Sequence, residues 1–215
     1  MEQFKGLCLN NMIMAFRLVP LICCFFVITD DQLIAQDPIK GIRELKEGYL
    51  LIRFPAFKSK IDKLNSMIAK AEEKDKMRLQ KMLNSAIYER DSVRQDYIDA
   101  FKNYYDFSKV GYFMDNESRN LNTANYYRPD HSGLPYQEIE KLPFFILSFE
   151  RTEESKMDAL VIYNSEMKRM PKPFPNNFSR GGLGFLFAGF MGTSFEDRRV
   201  KKINAKLHKF WSQVN

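Results

Sequence analysis

Cysteine and histidine are scarce in this 215-residue chain. The three cysteines, Cys8, Cys23 and Cys24, all lie within the first 36 residues. The remainder therefore has no disulfide, no thiol nucleophile and no cysteine-ligated metal. The two histidines, His131 and His208, belong to no G-x-S-x-G, H-E-x-x-H or Walker lysine motif, because none occurs. The sequence predicts no catalytic residue, no metal site and no cofactor, and favours a non-enzymatic protein.

Glycine and proline are absent from Ala56 to Tyr105. Apolar residues recur there at steps of three and four, which is typical of one face of an α-helix. The charged run 72–76 interrupts this pattern without an apolar residue. The stretch 57–105 is therefore either one helix about 70 Å long at 1.5 Å per residue or an antiparallel hairpin that folds back near Lys74–Lys76. We favour the hairpin, and the single helix remains the alternative.

Long apolar runs are also absent, except for the run LVPLICCFFVIT at residues 18–29. It is short for a membrane span but fits the core of a signal peptide, with Arg17 before it and Ala35-Gln36 as a cleavage site. We expect residues 1–36 to be a signal peptide, with an uncleaved anchor as the alternative. The mature domain, 37–215, is then exported to the periplasm or cell envelope.

Four segments beyond the signal peptide have the apolar content of strands, and the first of them is nearly all apolar, as expected of a strand covered on both faces. The segments are Tyr49–Phe54, Phe107–Met114, Pro143–Phe149 and Met157–Tyr163. A strand, a long helical connection and a second strand predict a parallel pair with a right-handed crossover. The last two strands predict an antiparallel hairpin. The proline-bearing and polar stretches 120–133 and 167–179 are expected to be loops.

The C-terminal part combines a Gly- and Phe-rich segment, 180–195, with a helix from about Glu196 to Val214. Thr193 with Glu196 has the spacing of a capping box. Apolar insertion together with cationic attraction is how a peripheral segment holds an anionic bilayer. Seven residues are the expected membrane or partner contacts: Phe185, Phe187, Phe190, Arg198, Arg199, Lys202 and Trp211. In the alternative, the phenylalanines and the helix pack against the sheet and leave a solvated basic face.

Together these elements predict a single α/β domain. Its mixed sheet has about four strands, a long helical hairpin is inserted between the first two strands, and a C-terminal amphipathic helix ends the chain. The formal net charge is +6. In an exported protein this charge favours an anionic lipid or glycan as partner, and no nucleic acid is expected. A protein partner through the helices of 57–105 is the other expectation.

Three stretches carry a resemblance: LKEGYLLIRFPAFKSKIDKL, YYDFSKVGYFMD and PKPFPNNF. Together with the signal segment they are similar to small exported proteins of the Bacteroidota that have no assigned function. The resemblance implies export and an envelope setting, and it brings no site residues. The element order also resembles the thioredoxin-like topology, with Leu142-Pro143 where that fold places its cis-proline. The redox dicysteine is absent, so no redox role follows from it.

The function that these observations favour is binding of a protein partner or an anionic membrane surface. One alternative is an enzyme that uses carboxylates or tyrosine in a pocket formed by Tyr112, Tyr126, Tyr127 and Tyr136. The other is a structural subunit assembled through the long helical stretch.

Overall fold

The computed structural model describes residues 37–117, 121–151, 158–179 and 194–215, which contain both helices and strands. The predicted signal peptide lies outside them. The helices are α1 (Pro38–Glu47), α2 (Lys58–Lys70), α3 (Glu73–Tyr104), α4 (Tyr136–Ile139) and α5 (Phe195–Val214). The strands are β1 (Tyr49–Phe54), β2 (Lys109–Met114), β3 (Tyr126–Tyr127), β4 (Gly133–Leu134), β5 (Phe144–Arg151), β6 (Asp158–Asn164) and β7 (Asn177–Ser179).

One mixed sheet contains all these strands, in the order β4-β3-β2-β1-β5-β6-β7. Strand β1 lies at its centre and pairs in parallel with both β2 and β5, whereas the other pairs are antiparallel. The predicted mixed sheet is confirmed, but the expected number of about four strands is wrong, because the described residues form seven. The additional strands, β3, β4 and β7, have two or three residues each. Such short strands show no alternation in sequence, and pairing with a neighbouring strand creates them.

The stretch between β1 and β2 is a helical hairpin. Helix α2 ends where Ala71 becomes extended, with φ −79° and ψ 147°, and α3 begins at Glu73. The turn therefore comes just before the predicted position at Lys74–Lys76. A small apolar cluster joins the two helices; its buried members are Leu64, Leu79, Leu83 and Ala86. The later part of α3 packs on the sheet through Ile98 and Phe101.

The sheet has two differently covered faces, because successive residues of a strand point to opposite sides. On the helix face, Leu50, Ile52 and Phe54 pack with residues of α1, α3 and α5. The opposite face carries Tyr49 and Leu51 and is covered by residues from 121–142. By the same alternation Arg53, the next residue in this series, belongs to the opposite face.

Helix α5 confirms the predicted amphipathic C-terminal helix. Its apolar side, with Val200, Ile203 and Leu207, is fully buried on the sheet. The N-cap is Ser194, whose Oγ accepts a hydrogen bond from the backbone N–H of Asp197 at 3.0 Å. The predicted cap, Thr193, lies outside the described residues.

The direction in which strands are added reverses at β1. The chain first moves from β1 through the hairpin to β2 on one side, and then returns past β1 to place β5 on the other. In open α/β sheets, ligands bind outside the carboxyl ends of the strands at such a switch point. The topology therefore predicts a ligand site at the carboxyl ends of β1 and β5.

None of the described helices is both long enough and apolar enough to span a bilayer.

Candidate functional site

A cleft of about 160 Å³ lies at the carboxyl ends of β1, β2 and β5, where the strand order reverses. Its lining is mixed: two carboxylates, one guanidinium and one hydroxyl lie beside two apolar side chains. The lining residues are Arg53, Pro55, Asp115, Ser148, Phe149 and Glu150. Pockets for drug-sized ligands have volumes of about 300–1,000 Å³, so this smaller cleft suits a small ligand or one end of a larger one.

The parallel register of β1 and β5 brings the polar residues together. Arg53 pairs with Ser148 across the two strands. Glu150 follows Ser148 by two positions and therefore points to the same face of the sheet. Strands lie about 5 Å apart and rise about 3.3 Å per residue. The side chains of Arg53 and Glu150 thus project in the same direction from Cα atoms about 8 Å apart.

Arg53 is the unusual residue of the cleft. It lies within a strand whose other five residues are buried. Its Nε is buried and finds no hydrogen-bond acceptor among the described residues. Within the same residues Arg53 forms no ion pair, although two carboxylates border the same cleft. A guanidinium has five N–H donors and normally satisfies them when it is buried. Among the described residues, this half-buried cation therefore lacks an acceptor for its buried Nε.

Glu150 has a close hydrogen bond on one oxygen and a longer ion pair on the other. Its Oε1 accepts a hydrogen bond from the Tyr163 hydroxyl at 2.5 Å. Its Oε2 lies 3.9 Å from Nη2 of Arg169, which is too far for a hydrogen bond. Burial, and then this hydrogen bond to Glu150, raise the pKa of Tyr163 to about 12. Tyr163 thus stays protonated at neutral pH and orients the carboxylate, while Oε2 stays open to a further donor.

Asp115 has a positioning role in the wall of the cleft. Its Oδ1 accepts a hydrogen bond from the backbone N–H of Ala56 at 2.8 Å, which fixes the connection from β1 to α2. Two residues after Pro55 in this connection, Phe57 has a φ of 52°. That region is uncommon for residues other than glycine, and such backbone strain concentrates near functional sites. The strained connection thus borders the cleft formed by Arg53 and Glu150.

A second polar cluster lies at the opposite, amino end of β1. Unlike the cleft, it has a hydrogen-bond or ion-pair partner for each of its charged groups. The Tyr49 hydroxyl donates to Oε1 of Glu138 at 2.5 Å, and Arg128 donates to Oε2 of the same carboxylate at 2.6 Å. Burial, and then Glu138, raise the pKa of Tyr49 to about 12. The Tyr49 hydroxyl is the main cause that lowers the pKa of Glu138. Every charge there has a partner, which is the arrangement of a structural contact.

The residues predicted as membrane or partner contacts do not form one surface in the described part of the chain. Arg199 is only 7% exposed, and its guanidinium donates to Tyr97 Oη at 2.9 Å and to the backbone carbonyls of Asp158 and Phe178. It therefore faces the interior, between Val200 and the strands, and is not part of the outer basic face.

The other predicted contacts divide between surface and core. Lys202 is exposed and Arg198 is half-buried. Trp211 is half-buried and packs edge-on against Phe107, with ring centroids 6.2 Å apart. The three phenylalanines, Phe185, Phe187 and Phe190, lie outside the described residues. Since the apolar side of α5 is occupied by the sheet, the described part of α5 agrees with the alternative of a packed helix with a solvated basic face.

The four tyrosines proposed for an enzymatic pocket are separated by the sheet. Tyr112 and Tyr127 stack with centroids 5.4 Å apart, and Tyr112 belongs to the core of the helix face. Tyr126 and Tyr136 stack on the opposite face at 6.1 Å. The four rings therefore do not line a common pocket. Likewise, the cis peptide bond in the described residues joins Lys172 to Pro173 and not Leu142 to Pro143.

The helical hairpin exposes a few large apolar side chains: Met67, Met77, Met82 and Tyr88. Lysines and carboxylates surround them along both helices. Single exposed apolar residues are normal on a protein surface. A protein partner at this hairpin stays a prediction.

Sequence reasoning missed the cleft, although one signal was present. The strand YLLIRF is nearly all apolar and carries one charge, that of Arg53. An arginine within a strand that is covered on both faces needs either a partner or a function. Ser148 and Glu150 gave no such signal, because their proximity to Arg53 depends on which side of β1 the strand β5 occupies.

Among the described residues no three histidine, cysteine or acidic side chains gather in a group that could hold a metal ion. Comparison with protein-family models, with curated proteins and with solved structures finds no match to this chain.

Proposed function

We propose that this chain is a binding protein whose carboxyl-edge cleft takes a small ligand through an anionic group. One observation carries the proposal: Arg53 stands in the cleft with no ion pair and with a buried Nε that has no acceptor among the described residues. A carboxylate or phosphate offers paired oxygens that match the donors of a guanidinium. The ligand would supply the acceptors that the described part of the protein does not.

Binding is favoured over catalysis by the chemistry of the lining. The described residues around the cleft include a serine hydroxyl and two carboxylates but no histidine or cysteine. Ser148 thus has no imidazole base beside it, as a serine nucleophile would need. Tyr163, with its pKa of about 12, is a poor proton donor at neutral pH. These features support a cleft that holds its ligand without transforming it.

The proposal is tested with acetate and inorganic phosphate as probes on the full chain. Binding is followed by chemical-shift changes at the backbone amides of Arg53 and Ser148 and by the rise of the unfolding temperature with ligand concentration. We expect saturable shifts that Arg53→Gln abolishes. The matched control is Arg151→Gln, which removes a charge from a side chain of the neighbouring strand β5 that is 78% exposed. Equal responses of the wild type and Arg53→Gln would overturn the proposal.

A second candidate is electrostatic contact with an anionic membrane through α5. Its outward side carries four exposed lysines, Lys201, Lys202, Lys206 and Lys209. Near an anionic surface each such charge contributes about 1 kcal/mol. Co-sedimentation of the full chain with anionic and neutral vesicles tests this: Lys202→Glu combined with Lys209→Glu should reduce binding to anionic vesicles only. Undiminished binding of this variant would exclude α5 as the contact.

The exported, cell-envelope setting remains part of the proposal. It is supported by the apolar run at 18–29 with Arg17 before it and Ala35-Gln36 after it. N-terminal sequencing of the protein recovered from cells distinguishes a cleaved chain that begins at residue 37 from a retained anchor.

A further inference from the structure

We propose that the ligand of the cleft is a small zwitterion, such as a free amino acid, with its carboxylate on Arg53 and its ammonium group on Glu150. This inference rests on the proposed function, because it assumes that an anionic group binds at Arg53. It adds the opposite charge, and so names the class of ligand.

The two charges stand on neighbouring strands and face the same side. Arg53 and Ser148 are register partners, and Glu150 lies two residues further along β5. The Cα atoms of Arg53 and Glu150 are therefore about 8 Å apart. Both residues line the cleft, yet they form no ion pair with each other. A positive and a negative group thus border the same cleft from two neighbouring strands.

Both groups keep open bonding positions toward a ligand. Arg53 has no hydrogen bond or ion pair among the described residues. On Glu150, the Tyr163 hydroxyl occupies Oε1, and Oε2 has only the guanidinium of Arg169 at 3.9 Å. An ammonium group has three donors and suits such a carboxylate oxygen. The arrangement therefore offers donors at one end and an acceptor at the other.

A ligand with a single sign of charge fits this pair poorly. An anion at Arg53 lies close to the Glu150 carboxylate, and a cation at Glu150 lies close to the guanidiniums of Arg53 and Arg169. In a partly desolvated cleft such like-charge contacts are unfavourable. A zwitterion presents the opposite charge to both Arg53 and Glu150 and adds no net charge to the cleft, although its ammonium group also lies near Arg169. The volume of about 160 Å³ agrees with a molecule of few heavy atoms and is too small for a nucleotide.

The experiment compares probes that share parts of the zwitterion. Acetate carries the carboxylate alone, ethylammonium the ammonium alone, L-alanine both on one carbon, and 4-aminobutanoate both at a wider spacing. Each is titrated into the isotopically labelled full chain at neutral pH, with the Arg53 and Ser148 amide signals as readout. We expect L-alanine or 4-aminobutanoate to bind at least tenfold more tightly than acetate and ethylammonium. The tighter of the two then gives the charge spacing of the natural ligand.

Variants separate this inference from the proposed function. Glu150→Gln should weaken binding of the zwitterion about tenfold and leave acetate binding equal or stronger, whereas Arg53→Gln should abolish both. Glu140→Gln, at an exposed position outside the cleft, is the matched control. If acetate binds as tightly as the zwitterions and Glu150→Gln changes neither, the zwitterion is excluded while the anion site stands. If no probe shifts these signals, both proposals fail.

Discussion

Replacing Arg53 by methionine is expected to stabilise the fold while it abolishes ligand binding. Methionine preserves an unbranched apolar stem of similar length and removes the guanidinium. Arg53 makes no hydrogen bond or ion pair to a described residue, so the substitution removes no such contact. It does remove a buried N–H that has no acceptor among the described residues. Residues retained for binding at a cost in stability show this combination of effects.

The magnitude follows from the buried Nε. Leaving one buried donor without an acceptor costs about 1–3 kcal/mol, and an apolar replacement of similar volume recovers most of that. Because the remainder of the guanidinium borders the open cleft, we expect the free energy of unfolding to rise by about 1–2 kcal/mol. For a domain of this size, each kcal/mol corresponds to about 2–4 °C in the unfolding midpoint.

The measurement is urea unfolding of the full chain without ligand, followed by circular dichroism. The midpoint should rise with an unchanged slope, since a change of slope indicates altered compactness of one of the states. Arg151→Met, on the neighbouring strand β5, is the control, and its effect should stay within about 0.5 kcal/mol because that side chain is largely exposed. A loss of 1 kcal/mol or more in Arg53→Met would refute the reasoning, because it would mean that the guanidinium stabilises the fold.

Three further perturbations test other parts of the structure. Arg199→Leu should lower the free energy of unfolding by about 3–5 kcal/mol, because it removes two buried hydrogen bonds and one partly buried hydrogen bond and leaves their acceptors without this donor. Urea unfolding measures this change, and an effect below 1 kcal/mol contradicts the assigned role. Gly48→Ala should cost more than about 2 kcal/mol, because its Cβ would overlap a carbonyl oxygen just before β5. Gly133→Ala is its control, with nothing within 4 Å of the added carbon, and equal effects of the two would contradict the packing. The raised pKa of Tyr163, about 12 against 10 for a free tyrosine, gives stability that is complete below about pH 10 and is lost as the pH rises toward 12. Tyr163→Phe should reduce this alkaline loss in unfolding measured from pH 9 to 12, and an unchanged pH profile would show that Tyr163 is not protected.

The sequence predicts the long elements well, because their signals are local. The pattern of Tyr49–Phe54 and its pairing with Lys109–Met114 follow from apolar content and from a crossover between them. The helical hairpin follows from the absence of glycine and proline and from the interrupted apolar stripe, which α2 and α3 bury between them. The strands β3, β4 and β7 escape prediction, because two or three residues carry no periodicity of their own.

The side chains of α5 show a related limit of pattern reasoning. By residue type, Arg199 belongs with the other basic residues of α5. Its position in the helix instead turns it toward the sheet, beside Val200. The aliphatic stem and the planar head of arginine allow it to enter a core when backbone carbonyls accept its donors. Those carbonyls belong to Asp158 and Phe178, which are distant in sequence. No local sequence pattern predicts which carbonyl groups will accept these hydrogen bonds.

The cleft depends on the same kind of distant information. Arg53 lies beside Ser148 and near Glu150 only because β5 pairs with β1 on the side opposite to β2. Had β5 joined the far side of β2, Arg53 would face neither residue, and a shift of β5 by one position would turn Glu150 to the helix face. The sequence of β1 alone shows only one charged residue within a run of buried residues. Burying a charge without a partner is unfavourable, so Arg53 marks a position that calls for a ligand. The reversal of strand order marks the end of the sheet where ligands bind. The two features together locate the site, which neither locates alone.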